Sequence, residues 1–283
     1  ETEIYLKLEV LQPVGSFKLR GAGSLLGSVG SDDLADGVWT ASAGNMAQAV
    51  AWFARREGLP CTVVMPDTAP DAKTSAVERL GASIVKVTFD EWLAVFRSRA
   101  FPGMRGLFVH PFSDRHVMAG NATIGAEILE DLPEADAVVV PYGGGGLSCG
   151  IASAIRARAP RTKVFAAEIA TAAPLSASLA AGEPVVVPYT PSFVDGIGSP
   201  AVFPEMFELA RTLLDGSLVV EPDQAADAVR LLATRAHVVA EGAGAVPVAA
   251  ATAGLAGSGR IVAVVSGGSI DASKLSAILA GSA

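Results

Sequence analysis

The sequence predicts an α/β fold built on mainly parallel sheets. Short runs rich in valine and isoleucine alternate along the whole chain with longer runs whose apolar residues recur at helical spacing. Thirty glycines and seventeen prolines are spread along the chain and mark many of the element ends. The runs 137–140 and 261–265 are apolar throughout, which is typical of sheet centres covered on both faces. Strand–helix alternation of this kind favours parallel sheets.

The individual elements follow from this alternation. Strands are predicted at residues 4–10, 38–41, 61–66, 83–87, 107–111, 137–141, 163–168, 217–220 and 261–266. Helices are predicted at residues 46–57, 70–80, 119–131, 148–159, 204–214, 222–236 and 243–253.

Composition excludes several classes of protein. A formal charge of −8 argues against a nucleic-acid or anionic-membrane surface. Apolar runs stay shorter than the roughly 20 residues of a membrane helix, and no signal segment opens the sequence, so a cytoplasmic protein is expected. Cys61 and Cys149 form no redox pair, and His110, His116 and His237 show no metal spacing. We expect these five side chains to be structural or exposed.

One lysine stands in a distinctive setting. Lys18 lies between a tight glycine turn and the start of a helix, in the segment GSFKLRGA at 15–22. A lysine that opens a helix is usually a solvated surface residue, but here Phe17 can form a wall against a flat aromatic cofactor. Desolvation would favour the uncharged amine needed for nucleophilic and proton-transfer chemistry.

A polyglycine turn follows a strand far downstream. Gly143, Gly144, Gly145 and Gly146 precede a helix that begins near Leu147. Backbone amides there can converge on a phosphate, aided by the positive helix end, although such a turn can also be merely flexible. A lysine in a shaped turn together with this loop is what an enzyme needs to hold pyridoxal phosphate.

Two further turns have the same placement after a strand. The turn Ser42-Ala43-Gly44-Asn45-Met46-Ala47 can bind a substrate carboxylate through its amides, or can be an ordinary capped turn. Ser266 closes the last apolar strand and can hydrogen-bond a pyridine nitrogen. A serine cannot keep that nitrogen protonated as an aspartate would, which favours rapid β-elimination over a long-lived carbanion.

Together these motifs resemble the serine/threonine dehydratase family of fold-type II pyridoxal-phosphate enzymes, which includes serine racemase. The similar segments span essentially the whole chain: 7–9, 15–22, 42–48, 65–73, 81–85, 143–146 and 266–271. The resemblance implies a tryptophan synthase β-like fold with two open twisted, mainly parallel sheets flanked by helices.

The resemblance also implies a role for each matched residue. Lys18 is expected to form the Schiff base, and Asn45 to contact the phenolate oxygen of the cofactor. Phe17 is expected to pack on the cofactor ring, and Ser266 to bind its nitrogen. The phosphate cup would be Gly143, Gly144, Gly145, Gly146 and Leu147, and the loop that binds the substrate carboxylate would be Ser42, Ala43, Gly44, Asn45, Met46 and Ala47.

Four positions depart from the family pattern. Ala43 stands where serine racemases carry an acid/base serine, which favours elimination over racemisation. Met46 replaces a histidine, and Ser269 a common asparagine. Glu168 matches the first ligand of a divalent-cation site in several relatives, but Pro174 replaces another carboxylate, so no metal site is expected.

The resemblance suggests a domain organisation as well. Residues 1–38 and 114–283 are expected to form a large cofactor-binding domain, and 39–113 a small mobile domain that closes on substrate. We expect a homodimer, a preceding segment absent from this sequence, and no appended regulatory domain.

The function predicted is a dehydratase, an ammonia-lyase that converts a β-hydroxy-α-amino acid to a 2-oxo acid and ammonia. L-Threonine and L-serine are the expected substrates, and a bulkier one such as phenylserine is an alternative if Trp92, Phe96 and Phe112 line the cleft. A racemase, a β-replacement synthase and a non-catalytic binding protein remain the other possibilities.

Overall fold

The computed structural model describes residues 1–69 and 71–281. Among these residues the chain forms nine strands: β1 (Thr2–Leu8), β2 (Val38–Ala41), β3 (Cys61–Pro66), β4 (Ser83–Val87), β5 (Leu107–Phe108), β6 (Ala137–Pro141), β7 (Lys163–Ile169), β8 (Gly216–Val220) and β9 (Gly259–Val265). The same residues form eleven α-helices: α1 (Lys18–Leu26), α2 (Asn45–Glu57), α3 (Asp71–Glu78), α4 (Phe89–Ser98), α5 (Arg115–Asp131), α6 (Gly146–Arg158), α7 (Pro174–Ala181), α8 (Pro204–Leu213), α9 (Pro222–Leu231), α10 (Gly242–Thr252) and α11 (Ala272–Leu279).

The chain divides into two compact units. One unit consists of Glu1–Phe17 with Asn121–Ala283, and the other of Lys18–Gly120. Each unit contains one parallel sheet.

The sheet of the first unit has the strand order β1-β9-β6-β7-β8, and its pairings are parallel. Every residue of β6 is buried. Val139 packs into one core with α10, whereas Val138 and Val140 pack into the opposite core with α6. This alternation follows from the two-residue period of a strand and explains why a sheet covered on both faces is apolar throughout.

The sheet of the second unit has the strand order β4-β3-β2-β5, again parallel. β2 is fully buried, and Thr40 satisfies its hydroxyl by donating to the Val109 carbonyl at 2.7 Å. Beside the sheet, α1 lies close to α2. A Cβ atom on Gly23 would lie 2.5 Å from the Phe53 ring, so a larger residue there would force the ring to shift.

The predicted α/β fold with parallel sheets is confirmed. All nine predicted strands form, with β1 ending at Leu8 because Glu9–Leu11 is a 3-10 turn. β5 is shorter than predicted because the chain turns into a loop at 110–113, where Pro111 lacks an N–H for a ladder. The helix predicted over 222–236 becomes π-helical at Leu232–Ala236.

α1 was predicted only as a helix that begins at Lys18, without bounds, and the helices α4, α7 and α11 were not predicted. The predicted helix at 70–80 is found as α3, while Pro70 lies outside the described residues. A small mobile domain at 39–113 stays a prediction.

Candidate active site

Lys18 is the first residue of α1 and is half-buried. The turn before it depends on Gly15, whose φ of +69° lies in the left-handed region that favours glycine. The Lys18 Nζ atom donates a hydrogen bond to the carbonyl oxygen of Pro111 at 2.6 Å. Its amine is therefore held by a backbone carbonyl on the loop at 110–113.

His110 organises that loop from inside. Its side chain is 2% exposed, and its Nδ1 atom accepts hydrogen bonds from the Ser113 N–H at 2.8 Å and the Phe112 N–H at 3.3 Å. Burial lowers the pKa of His110 from 6.5 to about 4, and the positive charges of Arg99 and Lys18 contribute to the decrease. The imidazole is therefore neutral near pH 7, as an accepting Nδ1 requires.

The three aromatic residues proposed for the substrate cleft contact one another. Trp92 meets Phe96 edge-on with ring centroids 4.7 Å apart, and Phe96 lies 6.0 Å from Phe112. His110 joins them through an edge-on contact with Phe112 at 4.5 Å. These rings form one cluster around His110, and such pairs stabilise a core beyond simple area burial.

The loop at 42–47 joins the carboxyl end of β2 to α2. Ser42 accepts the Gly44 N–H through its Oγ atom at 3.2 Å, and Gly44 gives α2 no side-chain cap. The first N–H groups of a helix without such a cap suit an anion. Met46 and Ala47 are buried, at 1% and 0% exposure, so their contribution to an anion site is limited to backbone N–H groups.

The glycine loop lies in the other unit, between β6 and α6. Gly145 has a φ of +85°, and a Cβ atom there would lie 2.9 Å from the Tyr142 hydroxyl, so only glycine fits. It also provides no side-chain cap for α6. Asn121 fixes the start of the helix by donating from Nδ2 to the Gly146 carbonyl at 3.1 Å. An uncapped helix end after a parallel strand is well suited to a phosphate.

The same unit joins Ser266 to the residues that precede Lys18. Ser266 is 2% exposed, and its carbonyl accepts the Phe17 N–H at 2.9 Å. Ser16 pairs with Gly267, and the Gly268 N–H donates to the Gly15 carbonyl at 2.9 Å. The predicted ring wall and the predicted partner of the pyridine nitrogen are therefore hydrogen-bonded neighbours.

Comparison with known proteins decides the family. The sequence model described as "Pyridoxal-phosphate dependent enzyme" matches residues 1–267. The chain belongs to this family. Its cofactor is pyridoxal phosphate.

Individual relatives and solved structures show which members of this family the chain is similar to. The chain is 43% identical over 281 residues to the L-threonine ammonia-lyase of Thermotoga maritima, covering 98% of this chain and 70% of the relative. The structure of maize serine racemase has a TM-score of 0.90 and 30% identity, covering 99% of this chain and 87% of that one. The processed form of threonine deaminase isoform 2 from Solanum lycopersicum has a TM-score of 0.88 and 35% identity, covering 99% of this chain and 84% of that one. The chain is thus a serine/threonine dehydratase family member with the fold-type II architecture.

The residues present fit the cofactor. The first unit offers an uncapped helix end for the phosphate, the buried Ser266 for the ring nitrogen and Phe17 for the ring face. The second unit offers an amine on Lys18 and an amide on Asn45. The assignment of each residue to a group of the cofactor stays a prediction.

The Glu168 carboxylate is bound by three hydrogen-bond donors. Its carboxylate accepts the N–H groups of Leu175 at 2.8 Å and Ser176 at 2.7 Å, and the Ser217 hydroxyl at 2.6 Å. Burial raises its pKa, and these three hydrogen bonds oppose the increase. Glu168 therefore caps α7, whose first residue is Pro174, and the absence of a metal site there stays a prediction.

Cys61 and Cys149 are both free cysteines with buried side chains. Burial raises the pKa of both the Cys61 and the Cys149 thiol to about 12, so neither forms a thiolate near pH 7. Among residues 1–69 and 71–281, no helix is long and apolar enough to cross a bilayer.

The sequence did not reveal Pro111 or His110 as candidate site residues. A backbone carbonyl leaves no signature in the sequence, and His110 was expected to be merely structural or exposed.

The neutral state of buried His110 predicts a pH dependence of stability. Between pH 6.5 and about 4 the unfolded chain binds a proton at this position that the folded chain does not, so stability falls as the pH falls. From pH 7 to pH 5 the free energy of unfolding of the wild type should decrease by about 2 kcal/mol more than that of His110→Asn. Urea unfolding at both pH values measures the difference, and equal decreases would contradict the buried neutral imidazole.

Proposed function

We propose that this protein is a pyridoxal-phosphate-dependent dehydratase, converting a β-hydroxy-α-amino acid to a 2-oxo acid and ammonia by α,β-elimination. The observation that carries the proposal is the 43% identity over 98% of the chain with an L-threonine ammonia-lyase. The site residues support it, because an amine, two uncapped helix ends and a buried serine are the groups that this reaction requires. L-Threonine and L-serine are the proposed substrates.

The proposed reaction assigns a task to each group. Bound pyridoxal phosphate supplies an electron-accepting ring that stabilises negative charge at the substrate α-carbon. The N–H groups of the 42–47 loop orient the substrate carboxylate, and the Lys18 amine takes the α-proton. The α-proton and the β-hydroxyl group leave overall as one molecule of water, and the released enamine then reacts with one water to give the 2-oxo acid and ammonia. Ser266 offers the ring nitrogen a neutral hydroxyl, which suits this short-lived charge.

Racemisation is the second candidate, supported by the similarity to maize serine racemase. Proton exchange on both faces of the α-carbon requires a second acid/base group. Ala43 has no ionisable or hydroxyl group at the position where serine racemases carry a serine, which argues for elimination.

The finer points of the assignment are proposals too. We propose a homodimer in the cytoplasm that binds no nucleic acid, consistent with the charge of −8. We also propose that residues 39–113 close on the substrate. Phenylserine remains the bulkier alternative substrate.

Replacement of the lysine tests the chemistry. Lys18→Ala should lose the release of ammonia by about 10²–10⁴-fold or more, since it removes the general base, while the cofactor still binds without a covalent link. Coupled assays of ammonia and 2-oxo acid measure the loss, and absorbance after gel filtration measures the bound cofactor. Lys274→Ala, a change of an exposed lysine on α11, is the matched control. Turnover retained by Lys18→Ala would refute the role of the lysine.

The choice of substrate is tested by comparing threonine with phenylserine. The value of kcat/KM for L-threonine should exceed that for L-phenylserine by about tenfold or more, because Trp92, Phe96 and Phe112 pack on one another. D-Threonine serves as the stereochemical control and should give no product. A preference for phenylserine would show that these rings accommodate a substrate ring.

A further inference from the structure

The hydrogen bond between Lys18 and Pro111 joins a flexible side chain to an immobile acceptor. The Nζ–O distance is 2.6 Å, which is short for an amine–carbonyl pair. Pro111 is buried, and its ring fixes the backbone on one side of the carbonyl. A lysine side chain is a flexible four-carbon stem, and this contact restrains where its amine rests.

His110 holds the carbonyl in place from one side. Its Nδ1 atom accepts the N–H groups of Ser113 and Phe112, the residues that follow Pro111, and its ring contacts the Phe96 ring of α4 edge-on with centroids 5.9 Å apart. The imidazole therefore connects the 110–113 loop to a helix. A neutral ring is needed for this, because a protonated Nδ1 could not accept these hydrogen bonds.

Arg99 holds the same loop from a second direction. It is the C-cap of α4 and has a φ of +53°, which turns it out of the helix. Its Nη2 atom donates to the Ser113 carbonyl at 2.6 Å and to the Ser113 hydroxyl at 3.1 Å. Ser113 is thus bound through its N–H, its carbonyl and its hydroxyl, which leaves the peptide at Pro111 little freedom.

We propose that the Pro111 carbonyl is the docking position of the Lys18 amine whenever the lysine is not bonded to the cofactor, and that His110 and Arg99 are positioning residues for that carbonyl. The proposal rests on the proposed function of Lys18 as the proton acceptor. An amine released from the cofactor must return to one place to take the α-proton and later to release the product. A displacement of about 1 Å can cost roughly a hundredfold in rate, so a fixed acceptor has a direct catalytic consequence.

Two substitutions of one residue separate positioning from packing. In His110→Asn the amide oxygen takes the place of Nδ1 and keeps the acceptor for the loop, whereas in His110→Gln the amide reaches the Nε2 position and loses it. We expect His110→Gln to lower kcat about tenfold or more with little change in KM, and His110→Asn to restore most of that loss. Phe108→Leu is the control, because Phe108 contacts the His110 ring at 5.8 Å and is not bonded to the loop.

A second readout needs no turnover. In the cofactor-free protein, Lys18 is labelled with an amine-reactive ester at pH 8, and peptide mass spectrometry then measures how firmly the amine is held. Labelling should rise about tenfold in His110→Gln and stay near the wild-type rate in His110→Asn and Phe108→Leu. If His110→Gln does not fold, Arg99→Gln replaces it, with the same increase expected from loss of the bonds to Ser113.

The outcomes are distinct. Equal effects of the asparagine and glutamine variants on kcat and on labelling would overturn the proposal and leave His110 a packing residue. A wild type that releases no ammonia from any β-hydroxy amino acid would refute the proposed function, whereas the labelling ratio would still decide whether the Pro111 carbonyl holds the amine.

Discussion

The hydrogen bond from the Phe17 N–H to the Ser266 carbonyl joins an N-terminal and a C-terminal segment of the chain. Both residues are expected to contact the cofactor ring. This hydrogen bond extends the pairing of β1 with β9, in which Leu8 lies beside Val265, into an antiparallel contact between Ser16 and Gly267. Lys18 follows Phe17 by one peptide bond. Phe17 and Ser266, both expected to contact the cofactor ring, are therefore held together at the end of β9 by the pairing of β1 with β9.

The same physical rule places the other candidate groups. In parallel sheets, helices begin just beyond the carboxyl ends of the strands, where their positive ends remain available for anions. The 143–146 loop follows β6, and the 42–47 loop follows β2. Gly145 and Gly44 lack the side chains that normally cap a helix, so neither helix receives a side-chain cap from its own N-cap residue. An α6 capped by serine or aspartate would be less suited to a phosphate.

Much of the fold was predictable because the strands are short, rich in valine and buried. Val138, Val139 and Val140 alternate between two cores, and the sequence shows this as a continuous apolar run. α7 was missed because its sequence, PLSASLAA, has no apolar periodicity, and its cap is the side chain of Glu168 on β7. Local patterns do not reveal such a partner.

The candidate site was predictable only in part, for a similar reason. Lys18, Asn45 and Ser266 were found through local motifs and family resemblance. The Pro111 carbonyl that holds the Lys18 amine is a backbone atom, and the importance of His110 depends on its burial among Phe96, Phe108 and Phe112. These facts arise from tertiary packing.

The most direct measurement of the central claim is a crystal structure of the protein with pyridoxal phosphate bound. We expect continuous density from the Lys18 Nζ atom to the cofactor, the phosphate on the N–H groups of 143–146, and the Ser266 hydroxyl at the ring nitrogen. Density that leaves Lys18 on the Pro111 carbonyl while the phosphate lies away from the glycine loop would contradict this claim.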